Sequence, residues 1–420
     1  MSEDTSKRGA APPSLERAAW LHRPETARVF AALGGKDGET RAVGGAVRDA
    51  LLGLAVADVD FATAIVPDKV MARARKAGLK AIPTGLAHGT VTLVADGTSF
   101  EVTTLRRDVE TFGRHATVAF TEDWAEDARR RDFTLNALYA GADGTVFDPL
   151  GGYPDLISGR VRFIGDAAMR IREDYLRILR FFRFNASYGK DGFDADGLKA
   201  CVRERAGLRL LSAERVASEL KRLLVAPRAS EAVSVSFRHG LLCDILGGVP
   251  RLARFERLIG IEAELGRAPD PILRLAALAV FVPDDAPRIA RRFKLSNAEQ
   301  ACLALGGEPF GHDLPDEAAA KRTLYTLGPE RYASRVLLAW ANSAAPATDP
   351  AWHRAAALAE RWEVPDFPLR GQDIMALGDF SGPQIGDMLR RVERHWIDGG
   401  FAEDREGLLA LAEAMAKSSA

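Results

Sequence analysis

Two aspartates one residue apart, Asp58 and Asp60, follow a glycine pair and an arginine in the stretch VGGAVRDALLGLAVADVDFATA, residues 43 to 64. On a β-strand, side chains two apart share a face, so both carboxylates would project together while Val59 enters the sheet. Neighbouring carboxylates beside an apolar layer are costly unless a cation sits between them. Oxygen ligands of this kind suit Mg2+, which takes one or two carboxylates and completes its shell with substrate phosphates and water. Upstream, Gly44 and Gly45 let backbone N–H groups approach an anion, the helix behind adds its positive end, and Arg48 on its first turn can reach a phosphate. The stretch reads as a triphosphate cradle beside a metal site; a turn, a capped helix and solvated aspartates are the plainer alternative. Glu101, in SFEVTTLR, offers the third carboxylate that two-metal phosphoryl transfer often uses. An edge-strand glutamate paired with Arg106 or Arg107 fits the same residues equally well.

Further along, RRRDFTLNALYA (129 to 140) reads as a helix in which Asp132 and Asn136, four apart, share a face and offer partners to ribose hydroxyls. A helix cap with solvated arginines is the alternative. In EDYLRILRFFRF (173 to 184), Asp174 and Arg177 are i and i+3 on a helix, and Arg180 and Arg183 continue the interval. The plain reading of the pair is a surface ion pair worth under about 1 kcal/mol. The chemical reading uses base edges. Cytosine and adenine both present an amino donor beside an unprotonated ring nitrogen, so a carboxylate and a guanidinium together accept them. Uracil and guanine present the reverse pattern and would leave buried polar groups mismatched. On this reading Arg180 and Arg183 contact nucleotide or phosphate, while Leu179 and Phe182 are core. In SAERVASEL, Ser212 is placed to cap a helix. DPLGGYPDL reads as a hinge whose glycines permit positive φ and whose Asp148 and Asp155 bond turn backbone.

The elements that must hold these residues fall into two kinds. Residues 1 to 14 read as a loose tail and 15 to 34 as a helix. RAVGG, VDFAT, GTVTLVA and SFEVTTLR read as strands, with VRDALLG and VPDKVMARARKAG as helices closed by Gly53 and Gly78. Residues 108 to 128 have weak periodicity and read as a loop or lid. From 166 onward nearly everything is helical, beginning with one long helix over DAAMRIREDYLRILRFFRFNASYG, and a second joint is placed near 346 to 352. Mixed strands first and helices afterwards give an α+β chain of separate modules.

Composition sets the outer limits. A chain of 420 residues suggests about two to four modules. With 47% hydrophobic and 27% charged residues it has the balance of an ordinary soluble protein. A formal net charge of −1 gives no global field for a polyanion, so any nucleic-acid surface must be a local patch. Cys201, Cys243 and Cys302 are far apart and lack metal-ligand spacing. With a polar N-terminal stretch lacking a signal core and no bilayer-length apolar run, we expect a reduced, cytoplasmic protein with no membrane association.

GGAVRD followed by DVD, then RRDFTLNAL, DPLGGYPDL, EDYLRILR and SAERVASEL, resembles the class II tRNA nucleotidyltransferases and the related bacterial poly(A) polymerases, in that family's order and at compatible spacing. The blocks cover roughly residues 40 to 225. The resemblance implies a small polymerase-β-like nucleotidyltransferase head with a mixed sheet, followed by an all-α neck, body and tail. The corresponding divisions are 1–24 as extension, 25–150 as head, 151–225 as neck with the template helix, 226–345 as body and 346–420 as tail. It also implies that Arg131 contacts nucleotide, that Asp174 and Arg177 act as a protein template, and that the SAERVASEL residues brace the template helix. The activity implied is Mg2+-dependent addition of C, C and A to the 3′ end of tRNA from CTP and ATP, releasing diphosphate, with no obligatory protein partner. A poly(A) polymerase or a partial CC- or A-adding enzyme is the nearest alternative, and an inactive tRNA-binding protein the second. The poly(A) polymerases' basic lid signature and strongly basic termini are not seen. Some relatives carry a phosphohydrolase module that needs a His-Asp pair; ILRLAALAVFV lacks it, His312-Asp313 lacks partner histidines, and no such activity is expected. His88 and His115 are isolated and read as satisfied or exposed. The tail segment GPQIGDMLRRVERHW reads as a helix begun by Gly-Pro.

Overall fold

The computed structural model describes residues 11–112, 115–307 and 316–419. The strands are short: β1 (Thr40–Val43), β2 (Asp60–Thr63), β3 (Lys80–Gly85), β4 (Thr90–Ala95), β5 (Thr98–Thr104), the pair β6 (Arg106–Phe112) and β7 (His115–Phe120), then β8 (Tyr139–Ala140) and β9 (Val146–Phe147). Seven of them form one sheet in the order β3-β4-β5-β2-β1-β8-β9, and β6 with β7 forms a separate ribbon. β1 and β2 run antiparallel with Val43 opposite Asp60, whereas β2 and β5 are parallel with Phe61 opposite Val102. Alternation explains the faces. In β4, Val91, Leu93 and Ala95 are buried while their neighbours are only partly so. Around β2, Val59 and Phe61 turn inward, and Phe61 meets Phe30 edge-on at 4.9 Å and Phe100 at 5.8 Å. Burying one such side chain contributes about 1.5–3 kcal/mol.

Helices α1 (Pro24–Ala32), α2 (Gly45–Leu51) and α3 (Pro67–Lys76) belong to this layer, with α2 leading out of β1 and Gly53 and Gly78 at positive φ beyond the ends of α2 and α3. The sequence reading of one helix over 15 to 34 needs correction. A 3-10 turn, Ala19–His22, precedes α1, and Pro24 sets the start of α1. The described residues of 108 to 128 are not an irregular loop. Their backbone makes the β6–β7 ribbon and then α4 (Trp124–Arg129), capped by Asp123, whose carboxylate accepts from the Ala125 amide at 2.7 Å. In this stretch charged and apolar residues do not alternate, so no strand period is visible.

RRRDFTLNALYA also departs from the expected helix. After α4 the chain turns, makes a single 3-10 turn at Thr134–Asn136 and joins the sheet as β8. Phe133, Leu135, Ala137, Leu138 and Tyr139 are all fully buried. A segment surrounded by core has no polar face, so helical spacing of Asp132 and Asn136 carried no information about its conformation.

α5 (Tyr153–Ser158) follows the DPLGGYPDL turn. There Asp148 accepts from the Gly152 and Tyr153 amides at 2.8 and 2.9 Å, and Gly151 has φ 67. Asp155 instead accepts from Thr134 Oγ1 and Arg162 Nε, tying the turn to its neighbours rather than to its own backbone. The long helix is two helices, α6 (Ala167–Glu173) and α7 (Leu176–Tyr188). Asp174 between them is extended (φ −156, ψ 105), and its carboxylate accepts the Leu176 amide at 3.1 Å. A side chain that bonds local backbone competes with the helical ladder at that point. α8 (Ala195–Arg203) and α9 (Ala213–Leu224) pack beside α7; Ser212 stands at the N-cap of α9 but makes no capping side-chain bond. α10 (Ala229–Arg238) and α11 (Leu241–Leu246) complete the first of two compact units, Met1–Gly248.

The second unit, Val249–Ala420, is helical in all its described elements. One core centres on Trp340, stacked on Trp352 at 6.0 Å, with the Tyr332 hydroxyl donating to the Ala355 carbonyl. A second gathers Trp396, Met388, Val392 and Leu408 around the helix Gly382–Asp398, which does begin Gly-Pro. A buried ion pair lies inside this unit: Arg274 and Glu262 are 2.7 Å apart with side chains 8% and 3% exposed. Burial pushes the Glu262 carboxyl up, and Arg274 pulls it back down. Removing one partner of such a pair strands the other charge. Arg274→Met should therefore lower the stability of this unit by about 3–5 kcal/mol, read from urea unfolding, while Glu262→Leu/Arg274→Met should recover most of the loss. Equal losses in the single and double variants would show that the stranded charge is not the cause.

Candidate active site

A cavity of about 430 Å³ opens where the sheet, the segment after α4 and the α6–α7 junction meet in the first unit. It brings together Gly44, Gly45, Arg48, Asp60, Glu101, Arg131, Asp132, Asn136, Asp174, Arg177 and Arg180. Of the residues singled out in the sequence, only Asp58 and Arg183 do not line it.

The acidic side is set by strand geometry. Asp60 opens β2, and β5 runs parallel beside it, so Glu101 near the start of β5 lies at the same rim. Asp58 precedes the strand; like Asp60 it is exposed, with Val59 buried between them. The shared face expected for the two aspartates is thus present, although only Asp60 lies within the strand. Arg106 donates to the His88 carbonyl. The Asp60 carboxyl is pushed up to about 6, first by its recessed position, then by Glu101 and Asp58, with Arg131 opposing. Uncompensated negative charge of this kind is what a cation relieves. Among the described residues no three acidic, histidine or cysteine side chains close on one point, so a metal here would draw remaining ligands from elsewhere.

The glycine turn sits across from the acids. Gly44 has φ 69 and ψ −118, a backbone region that favours glycine. Arg48 is already engaged: it donates to Asn136 Oδ1 and to the Tyr188 hydroxyl at 2.6 Å each, and its Nε reaches Asp49 at 2.9 Å. Arg131 is held by Asp127, which is also paired with Arg130 and accepts from the Tyr139 hydroxyl. Asn136 Nδ2 donates to Asp132 Oδ1 at 3.1 Å, so these two meet as expected, through a turn rather than along a helix. Burial opposes ionisation of Asp132, yet the Arg180 guanidinium at 2.6 Å and the Asn136 amide hold its carboxyl below the usual carboxylate range.

The expected Asp174–Arg177 pair is not formed. Asp174 is held by Arg215 of α9, at 2.6 and 3.1 Å. Arg177 pairs with Glu173 and also donates to the Arg170 and Arg130 carbonyls at 2.7 and 3.3 Å. The helix break separates the two side chains' supports while leaving both on the cavity wall. Arg183 turns away from the cavity to Glu219 at 2.6 Å and packs over Phe184 at 4.2 Å. Leu179 and Phe182 are buried, as expected. Arg215 and Glu219 are thus the braces in SAERVASEL. Sequence reasoning missed Arg130, Glu173, Thr103 and Phe184 at or beside this wall. Glu173 was findable, because i to i+4 is as favourable a spacing to Arg177 as i to i+3 from Asp174. His88 is exposed; the His115 side chain, His312 and Asp313 lie outside the described residues.

Residues 40–162 match the family model described as the poly A polymerase head domain. The mouse CCA tRNA nucleotidyltransferase 1, mitochondrial, is 37% identical over 379 residues, covering 89% of this chain and 86% of the relative. The CCA-adding enzyme of Geobacillus thermodenitrificans is 32% identical, covering 88% and 91%. Among solved structures, the Bacillus stearothermophilus CCA-adding enzyme in complex with CTP superposes with a TM-score of 0.72 at 28% identity, covering 94% of this chain and 99% of that one. The chain belongs to the family of CCA-adding tRNA nucleotidyltransferases. Its chemistry is that of nucleotidyltransferases generally, which work with a divalent metal ion. No helix among the described residues is long and apolar enough to cross a membrane.

The separate supports can be tested without activity. A double-mutant cycle on urea unfolding should give about 0.5–1 kcal/mol of coupling between Asp174 and Arg215, and none beyond error between Asp174 and Arg177. Coupling in the second pair alone would restore the simple helix-surface pair.

Proposed function

We propose that this chain adds C, C and A to the 3′ end of tRNA from CTP and ATP, releasing diphosphate. The observation that carries this reading is the single cavity holding Asp60 and Glu101 on one wall and Asp174 and Arg177 on another. The first wall suits phosphoryl transfer, the second suits a base edge.

Asp58 and Asp60 would hold Mg2+, which on binding activates the RNA 3′-hydroxyl and neutralises the leaving diphosphate. The acidic, oxygen-only donor set and the raised Asp60 carboxyl fit a hard cation. Glu101 shapes the same field. Gly44 and Gly45 admit the triphosphate close to backbone, with Arg48 steadying that turn through Asn136 and Tyr188. Arg131, Asp132 and Asn136 face the sugar. Asp174 accepts the exocyclic amine of cytosine or adenine, and Arg177 donates to cytosine N3 or adenine N1. Uracil and guanine meet these groups with the wrong hydrogen, a mismatch that costs a buried polar contact. Arg180 stands behind them on Asp132, and Arg183 acts at one remove through Glu219. We keep the division into head, neck, body and tail at 25–150, 151–225, 226–345 and 346–420, and place the protein in a reducing compartment, the cytoplasm, on its three unpaired thiols.

Purified protein given Mg2+, a tRNA ending at the discriminator base, and the four nucleoside triphosphates singly and together should add CCA and stop. A long A tail, C alone or A alone would select a poly(A) or partial enzyme; no addition would select an inactive binder. Asp58→Ala and Asp60→Ala should each retain tRNA binding and lose C and A addition by at least about a hundredfold. In single-turnover incorporation, Arg177→Ala should lower the C-over-U ratio by about ten- to a hundredfold. Equal slowing with all four nucleotides would remove Arg177 from base recognition.

A further inference from the structure

Arg41 carries a guanidinium that no carboxylate among the described residues neutralises. It stands on β1 with Cζ 3.6 Å from the ring centre of Phe147 and 4.1 Å from that of Trp124. The rings hold the cation from the side and leave its N–H edge to find acceptors. Its Nε is buried with no hydrogen-bond partner among the described residues. Arg48, Arg73, Arg130 and Arg131 in the same unit are each paired with a carboxylate. A buried donor without an acceptor costs stability unless something supplies one.

A second cavity, of about 420 Å³, opens beside Arg41 and shares no lining residue with the nucleotidyltransferase cavity. Its wall includes Lys36 and the small residues Gly35, Gly38 and Gly141. Lys36 is exposed and adds a second cation. Asp143 is the one acid among the described residues of this wall, and it is committed elsewhere: its two oxygens accept the Thr145 amide at 3.0 Å and the Thr145 hydroxyl at 2.8 Å. Two cations over one tethered acid leave the wall net positive. A guanidinium edge with a lysine suits a compact oxyanion bearing several acceptor oxygens.

We propose that this cavity is a phosphate site in which Arg41 and Lys36 hold a phosphate group, supplied as free inorganic phosphate or as a phosphodiester of bound RNA. The free-phosphate arm stands independently of the CCA-adding reading; the RNA arm rests on it. Because Arg41 lies on the strand that runs into Gly44, the site is built on the same rigid element as the glycine turn.

The test titrates inorganic phosphate calorimetrically into wild type, Lys36→Ala, Arg41→Gln and Arg41→Lys. In parallel, the salt dependence of binding to a tRNA ending at the discriminator base is measured for each. Lys36→Ala removes an exposed charge and leaves the Arg41 stack intact, so the result does not depend on the Arg41 variants folding. If the phosphate is free, Lys36→Ala and Arg41→Gln should weaken one class of phosphate binding by about tenfold or more, with Arg41→Lys in between and the tRNA salt slope unchanged. If it belongs to RNA, the log–log salt slope should fall by about one in Lys36→Ala and Arg41→Gln. Phosphate affinity and salt slope both equal to wild type in Lys36→Ala and Arg41→Gln would overturn the proposal and leave Arg41 as a packing cation.

Discussion

A chain of alternating charges fixes the wall of the nucleotidyltransferase cavity. Asp132, from the segment feeding the sheet, meets Arg180 of α7 at 2.6 Å; Arg180 also approaches Glu219 of α9 at 3.6 Å, and Glu219 meets Arg183 at 2.6 Å. Asp132, Glu219 and Arg183 are largely withdrawn from water, so none can lose its neighbour cheaply. This chain docks α7 against the segment after α4, and with it the positions of Asp174 and Arg177 relative to Asp60. Arg48 adds a second clasp from α2 to Tyr188 at the far end of α7. Alignment of the acidic rim with the wall that carries Asp174 and Arg177 is therefore an electrostatic property of a few paired groups.

Much of this was legible in the sequence, for identifiable reasons. The spacing of Asp58, Val59 and Asp60 gives the right faces because strand alternation has an exact period of two. The glycine turn, α3 with its proline start, and the cores at Leu179 and Phe182 follow from local chemistry. What escaped was set by tertiary context. The segment from Arg131 to Tyr139 is buried on nearly every side, so it has no amphipathic signature. The partner that holds the Asp174 carboxylate, Arg215, lies 41 residues later, where no local window reaches it. Arg183 belongs to the right helix but to a face whose partner, Glu219, lies 36 residues away.

The acidic rim shows a second constraint. The Asp60 carboxyl is raised first by its withdrawal from water and then by Glu101 and Asp58, while Arg131, which opposes the shift, is already paired with Asp127. Folding has placed like charges together and left their neutralisation to ligands. Groups that would be better separated for the fold are held together here, as they commonly are at functional sites.

Parallel pairing of β2 with β5 also bears on the order in which the molecule is made. Antiparallel neighbours can be joined by a tight turn, but a parallel neighbour must wait for a crossover. Here the crossover contains α3, β3 and β4, and the strand on the other side of β1, β8, begins only at Tyr139. During synthesis from the N-terminus, the glycine turn and Asp60 emerge long before Glu101, and the sheet centre stays unflanked until β5 and β8 have arrived. A nascent chain therefore presents no assembled acidic rim to stray nucleotides, and the capacity for chemistry appears late, with completion of the sheet.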